Sequence, residues 1–298
     1  MRKIYKYSKE RFPLQQFVPL SLLFVLGMGV LIQNNTLGSG ISYYTFIWPF
    51  LALFLFLFRL RLFDEFKDYD HDLKYYPNRP VARGFIKLSE LFSVILVISF
   101  FEIIIGFSNL YTSLILFMVT FLYSLLMFKE FFCAAWLKKH FTMYILSHEI
   151  LVIPLFFYTY SLFGLDWAEL SNSFIWILTI FLGGQLFLLE ITRKFRSKDM
   201  EIGSKDTYTA QYGIRGASFL VFIISSLVIV AYFYLAIHSF SNILFIGVAA
   251  VILFAVLWLK IFSFMNKANT YQAKQVFNYA IFFTLGMDLL IIIKSFFS

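Results

Sequence analysis

Asp64, Asp68 and Asp72 stand four residues apart where a long apolar segment gives way to a polar one. On a helix each step of four turns the chain by ~40° and lifts it by ~6 Å, so the three carboxylates share one face. Three acids in register at the edge of a bilayer are costly without a counter-charge. Hard divalent ions such as Mg²⁺ take oxygen ligands, keep several waters and bridge carboxylates to phosphates. The spacing therefore points to a metal-diphosphate site, with Asp64, Asp68 and Asp72 as metal ligands, opening into a membrane-buried cavity. His71 lies among the acids, but no second His sits at ligand spacing, which argues against zinc.

A second acid-bearing stretch reads Glu190-Ile191-Thr192-Arg193-Lys194-Phe195, then Asp199-Met200-Glu201 and Lys205-Asp206-Thr207-Tyr208. It mixes acids with bases, whereas a segment that only marks topology needs bases alone. Between the two stretches, Tyr123-Ser124 leads to Lys129 and then Trp136-Leu137-Lys138-Lys139. His148 and Glu149 lie inside an apolar run, where ionisable groups are functional candidates by default; a self-satisfying pair between helices is equally open. Asp288, in the last apolar run, is a weaker candidate of the same kind.

The elements that carry these residues are membrane helices. Of 298 residues, 60% are hydrophobic and only 14% charged, too little polar surface for a soluble chain of this length. Apolar stretches of spanning length fall near 15–34, 42–63, 88–107, 110–128, 142–163, 172–190, 216–237, 242–262 and 276–297, which predicts nine transmembrane helices. With the N-terminus on the cytoplasmic side, the inside segments hold 24 of the 25 Lys and Arg, and only Lys294 falls outside. Both acid-rich segments, 64–87 and 190–215, then lie as loops at the cytoplasmic face. The net charge of +8 fits this topology and anionic lipid headgroups, and nothing points to nucleic acid. No cleavable signal segment is expected, and the single cysteine, Cys133, is expected to be an ordinary buried thiol.

The first loop resembles the UbiA superfamily of intramembrane prenyltransferases. The family's first motif is Asn-x3-Asp-x3-Asp followed by an Arg-Pro turn that ends in Gly. Asp68 and Asp72 match its aspartates, Asp64 replaces the Asn, and Arg79, Pro80 and Gly84 match the turn. The family's second motif is an Asp-x3-Asp element. Glu190 matches its first acid, while Lys194 stands where the second is expected. The resemblance spans most of the chain. It implies a single membrane domain over 1–298, all α-helical, with nine helices in a ring around a central cavity capped by both loops. It further implies Mg²⁺ held by Asp64, Asp68 and Asp72 and by Glu190 with Glu201 or Asp206. Arg79, Arg83, Lys129, Arg193, Lys194 and Tyr208 are the implied diphosphate-binding residues.

The implied activity is transfer of a polyprenyl group from an allylic diphosphate to an aromatic quinone precursor or another hydrophobic lipid acceptor. Asp68, Asp72 and Glu190 are the expected catalytic acids. The expected setting is a bacterial inner membrane. Two other readings compete: a non-catalytic transporter or lipid-binding protein, and a decayed relative that binds prenyl diphosphate without turnover, for which Lys194 is the motivating residue.

Overall fold

The computed structural model describes residues 2–37, 46–107, 111–197, 200–201 and 207–297. Among them every regular element is helical. Among the described residues, eight helical spans are long and apolar enough to cross a membrane, which makes the chain an integral, multi-pass membrane protein. The chain divides into two compact units, Met1–Val25 with Ser42–Leu170, and Leu26–Ile41 with Ser171–Ser298.

The first unit begins with α1 (Arg2–Arg11), a polar helix that buries only Tyr7 and Ser8 and leaves its lysines exposed. Pro13 ends it, because the residue before a proline is pushed out of helical geometry. There follow α2 (Leu14–Ile32), whose residues from Leu26 onward belong to the second unit, α3 (Ile47–Lys67), α4 (Tyr69–Tyr75), α5 (Leu88–Phe107) and α6 (Tyr111–Phe128). The short α7 (Ala134–Lys139) leads into α8 (Phe141–Glu149), α9 (Val152–Ser161) and α10 (Trp167–Leu170). Helices α8 and α9 form one apolar span, Phe141–Ser161, broken at Ile150–Leu151, where Pro154 cannot donate a backbone hydrogen bond one turn back. Tyr7 packs against Leu62 and Phe63 of α3, Val81 and Ile86 of the following turn, and Leu91 and Ile95 of α5. The N-terminal helix, the acid-bearing end of α3 and the Arg-Pro turn therefore share one hydrophobic core. Helices α5 and α6 approach so closely at Gly106 that an added Cβ would fall 2.7 Å from the Phe117 ring.

The second unit holds α11 (Ser173–Arg193), α12 (Tyr208–Ser239), α13 (Leu244–Asn266) and α14 (Thr270–Ser295). Gly184 of α11 lies against α12, where a Cβ would meet Val228 at 2.6 Å. Lipid tails supply no hydrophobic drive between helices, so close packing at such small residues does the joining. Helix α12 is interrupted at Gly213, whose φ of 70° and ψ of 170° lie outside helical space.

Two sequence expectations are corrected here, and a third is met only in part. The predicted span 42–63 begins in residues outside those described, and the helix found there, Ile47–Lys67, is not apolar enough to count among the eight. Arg59, Arg61, Asp64, Glu65 and Lys67 crowd its last nine residues. Arg59, assigned above to a cytoplasmic segment, is instead fully buried within α3. Cys133 is exposed rather than buried, because it lies on the turn before α7 and not on a packed helix face.

Candidate metal-diphosphate site

The three aspartates keep the ladder that their spacing predicts. The Asp68 amide donates to the Asp64 carbonyl and the Asp72 amide donates to the Asp68 carbonyl, both at 2.8 Å. Helical hydrogen bonding therefore runs from α3 into α4 through Asp68, although Asp68 itself (φ −95°, ψ 8°) joins two helices rather than continuing one. The part of the 64–87 segment that carries the acids is thus helical, and the rest, from Tyr76 to Lys87, is turn and bend.

Their surroundings differ. Asp64 is paired with Arg61 at 3.0 Å and keeps a side chain 40% exposed. Asp72 is buried, bonded to Arg79, with Arg11 at 3.8 Å and the His71 ring at 3.7 Å. The Asp68 carboxylate makes no hydrogen bond or ion pair with any described residue. Burial, with the neighbouring Asp64 charge second, pushes the Asp68 carboxyl up to about 6. Glu65, one residue after Asp64, is buried and held by Arg11 at 2.6 Å and Arg61 at 3.0 Å.

The Arg-Pro turn delivers its arginines differently. The Arg79 guanidinium stacks 3.8 Å above the Tyr76 ring, which fixes its plane toward Asp72. Arg83 points to Glu10 of α1, at 2.7 Å, and to the Asn78 carbonyl, so it serves the docking of α1 rather than the acids. Gly84, with φ of 73°, closes the turn in the left-handed region that favours glycine. Beside the acids, Lys67 donates to the Tyr144 hydroxyl at 2.8 Å and lies 3.3 Å from His148 Nε2. His148 thus reaches Lys67 of α3 while its other ring nitrogen lies 2.7 Å from the Tyr144 carbonyl on its own helix. Lys129 is exposed, its ammonium over the Phe128 ring, and precedes three consecutive non-glycine residues of positive φ, Glu130 to Phe132. Such backbone costs ~1–3 kcal/mol per residue and concentrates at functional loops.

In the second unit, Glu190 ends α11 bonded to Arg193 at 2.6 Å and Lys194 at 2.8 Å, and Lys194 lies over the ring of buried Tyr208. Glu201 accepts from the hydroxyls of Thr207 and Thr209, and Thr207 caps α12. Glu201 is thereby engaged in holding the helix start. Asp206 lies outside the described residues. Among the described residues, no three His, Cys, Asp or Glu side chains converge closely enough to hold a metal by themselves. The donor set still suits a hydrated hard cation: Asp68 has an unpartnered carboxylate and Asp64 a half-open one, and Mg²⁺ needs only one or two carboxylates beside its waters.

Sequence reasoning missed two features. Arg11, counted only as a topology signal, reaches both Glu65 and Asp72. Within the spans, Arg59 and Glu102 form a buried ion pair of 2.6 Å, with Arg59 also donating to Ser124 at 2.9 Å among the rings of Phe56, Phe63 and Phe121. Glu102 alone inside an apolar run was the available signal. Asp288 is also fully buried, accepting from Gln185 at 3.3 Å.

No protein-family model matches the sequence, and no curated protein matches it. Solved structures do. A digeranylgeranylglyceryl phosphate synthase structure superposes with a TM-score of 0.63 at 18% identity, covering 100% of both chains. A UbiA homologue from Aeropyrum pernix K1 superposes with a TM-score of 0.66 at 16% identity, over 93% of this chain and 97% of that one. The chain has the fold of the UbiA prenyltransferases.

Proposed function

We propose that this chain is a Mg²⁺-dependent prenyltransferase that moves a polyprenyl group from an allylic diphosphate to an aromatic or lipid acceptor within the membrane. The observation that carries the proposal is the carboxylate ladder. Asp64, Asp68 and Asp72 are backbone-linked in sequence register, ringed by Arg11, Arg61 and Arg79, and Asp68 has no ion-pair partner among the described residues. Asp64 and Asp68 would hold the metal, which neutralises the charge that develops on the departing diphosphate. Arg79 and Arg11 bind the same diphosphate through bidentate, charge-assisted contacts and orient its leaving oxygen. The allylic carbon–oxygen bond breaks with its electron pair on the diphosphate, the carbon bonds to the acceptor nucleophile, and the acceptor loses a proton. In the second unit, Arg193 and Lys194, gathered around Glu190, form a basic cluster suited to phosphate oxygens. An apolar, aromatic surrounding keeps water from the electron-poor carbon.

The same reading takes Ile47–Lys67 as a ninth span and 1–298 as one membrane domain, in the ring that the resemblance implies, with the N-terminus cytoplasmic and the bacterial inner membrane as its setting. A second reading, binding without turnover, is favoured by one observation: Glu190 is neutralised by Arg193 and Lys194 on its own helix. Thermal stabilisation of the detergent-purified chain by geranylgeranyl diphosphate, with and without Mg²⁺, tests both. A Mg²⁺-dependent rise in wild type that Asp68→Asn abolishes supports the site. No rise with any prenyl diphosphate refutes it. A rise without product on any acceptor favours the non-catalytic reading.

A further inference from the structure

We propose that the second unit binds an anionic phospholipid in the groove between α12 and α13, apart from the candidate site. The groove has a volume of ≈ 460 Å³ and is lined by Arg215, Ser218, Phe219, Phe222, Trp258 and Met265. Four of these fall on one face of α12, at spacings of three, four and seven residues from Arg215. Seven residues of helix rise ~10 Å, so the groove descends by that distance from Arg215 to Phe222. Its polar groups are ordered along that descent. Arg215 stands at the top, exposed, with no hydrogen bond or ion pair to any described residue. One turn down, Ser218 is fully buried with its hydroxyl unpartnered. On α13, Trp258 has a buried, unpartnered indole N–H, and its ring meets Phe222 edge-on at 4.6 Å. Phe219 and Phe222 are 62% and 42% exposed, so the lower groove opens sideways.

Buried donors without partners are costly, and more so in lipid, where no water can serve them. Ser218 and Trp258 both lack an acceptor oxygen, in a wall that is otherwise hydrocarbon. An amphiphile meets these groups in its own order. Its phosphate reaches the guanidinium, its ester and glycerol oxygens reach Ser218 and Trp258, and its acyl chain lies along Phe219 and Phe222. A phosphodiester carries a single negative charge, which one arginine neutralises through a bidentate contact. A prenyl diphosphate carries more charge than this groove can pair and has no glycerol or acyl-ester oxygens for the buried donors. The membrane's own anionic phospholipid is therefore the better match.

The test uses the full chain in neutral detergent, titrated with phosphatidylglycerol bearing brominated acyl chains, which quench tryptophan on contact. Wild type is expected to show saturable quenching with a component absent from Trp258→Phe. Losing one charge-assisted contact weakens binding by about tenfold or more, so Arg215→Gln should half-saturate at roughly tenfold higher lipid, and brominated phosphatidylcholine, whose choline cancels the net charge offered to Arg215, should also bind more weakly than phosphatidylglycerol. Ser218→Ala is expected to weaken binding by a smaller factor. Thermal stabilisation by phosphatidylglycerol, lost in Arg215→Gln, gives a readout that needs no tryptophan substitution. Equal half-saturation for the two lipids, or for wild type and Arg215→Gln, overturns the proposal. So does the absence of both a Trp258 component and a thermal shift. Geranylgeranyl diphosphate displacing the lipid from Trp258 would overturn it in favour of a second prenyl-diphosphate site. The readouts are binding alone, so failure here leaves the proposed catalytic function untouched.

Discussion

Replacing Asp68 with Asn should make the metal-free protein more stable while abolishing transfer. The shift from an ordinary 3.8 to about 6 means that folding disfavours the ionised carboxylate. At 1.36 kcal/mol per pKa unit, the cost at neutral pH is at most about 3 kcal/mol, and partial exposure of the side chain reduces it to ~1–2 kcal/mol. The sign follows from proton counting. Between about pH 4 and pH 6 the folded chain retains a proton that the unfolded chain has released, so wild-type stability falls as pH rises through this window. Below about pH 4 both states are protonated and the penalty vanishes. The neutral amide of the Asp68→Asn variant carries no such penalty at any pH. For a chain of this size 1 kcal/mol shifts Tm by roughly 2 °C, so Asp68→Asn should melt about 2–4 °C above wild type at pH 7.5 and level with it below about pH 4.

Asp72→Asn should behave in the opposite way, although the two residues are one turn apart. Asp72 is the buried partner of Arg79, with Arg11 close by. Its loss leaves guanidinium charge uncompensated and should cost ~1–3 kcal/mol, less than a fully buried pair because both arginines keep some solvent contact. Thermal melts of the two metal-free variants across pH provide the measurement. Equal destabilisation in both, or a pH-independent difference between Asp68→Asn and wild type, would refute the assignment of Asp68 as the unpartnered acid.

Other consequences are equally specific. Arg59→Met or Glu102→Leu alone should cost ~3–5 kcal/mol by stranding a buried charge, whereas the double variant should recover wild-type stability or exceed it; melts of all three decide. Gly84→Ala should cost ~1–2 kcal/mol through backbone strain alone, because a Cβ there meets nothing within 4 Å; a larger loss would mean that its packing has been misjudged. Lys194→Asp restores the acid spacing of the family's second motif. Increased turnover would favour a decayed site, and decreased turnover would make the lysine part of the phosphate-binding set.

Which of these features the sequence disclosed follows from the range of the forces involved. The ladder at Asp64, Asp68 and Asp72 was legible because a helix turns four-residue spacing into one face whatever surrounds it. Eight of nine predicted spans emerged because hydropathy over about twenty residues is a local property. The exception, Ile47–Lys67, mixes an apolar start with five ionisable residues, so composition alone misjudges it. The Arg59–Glu102 pair was illegible because the partners lie 43 residues apart on different helices, and counting Arg59 toward topology concealed it. The reach of Arg11 to Glu65 depends on how α1 docks through Tyr7, a tertiary outcome. Lys194 was read as a departure from the motif, and the ion pair with Glu190 gives that departure a physical consequence: the acid's charge is already spent on its own helix.

That consequence extends to the first site. Its acids are Asp64, Glu65, Asp68 and Asp72, and the guanidinium groups among them are Arg11, Arg61 and Arg79, so one carboxylate is left over. Lys67 forms no ion pair with it, since its ammonium is bonded to Tyr144 and lies beside His148, although its charge eases the ionisation of Asp68. A divalent cation added alone therefore meets a single unpaired carboxylate at Asp68 and a half-open one at Asp64, which favours weak binding with most of its waters kept. A diphosphate added alone must draw Arg79 and Arg11 away from Asp72, stranding a buried charge. Supplied together they compensate each other, because the diphosphate takes the arginines while the metal replaces them on the acids. Each ligand should therefore raise the affinity of the other, and by linkage the two factors must be equal. Mg²⁺ titrations with and without a non-hydrolysable allylic diphosphate analogue measure this directly. A coupling of about tenfold or more is expected, and independent binding would show that Asp72 keeps its arginines when the site is filled.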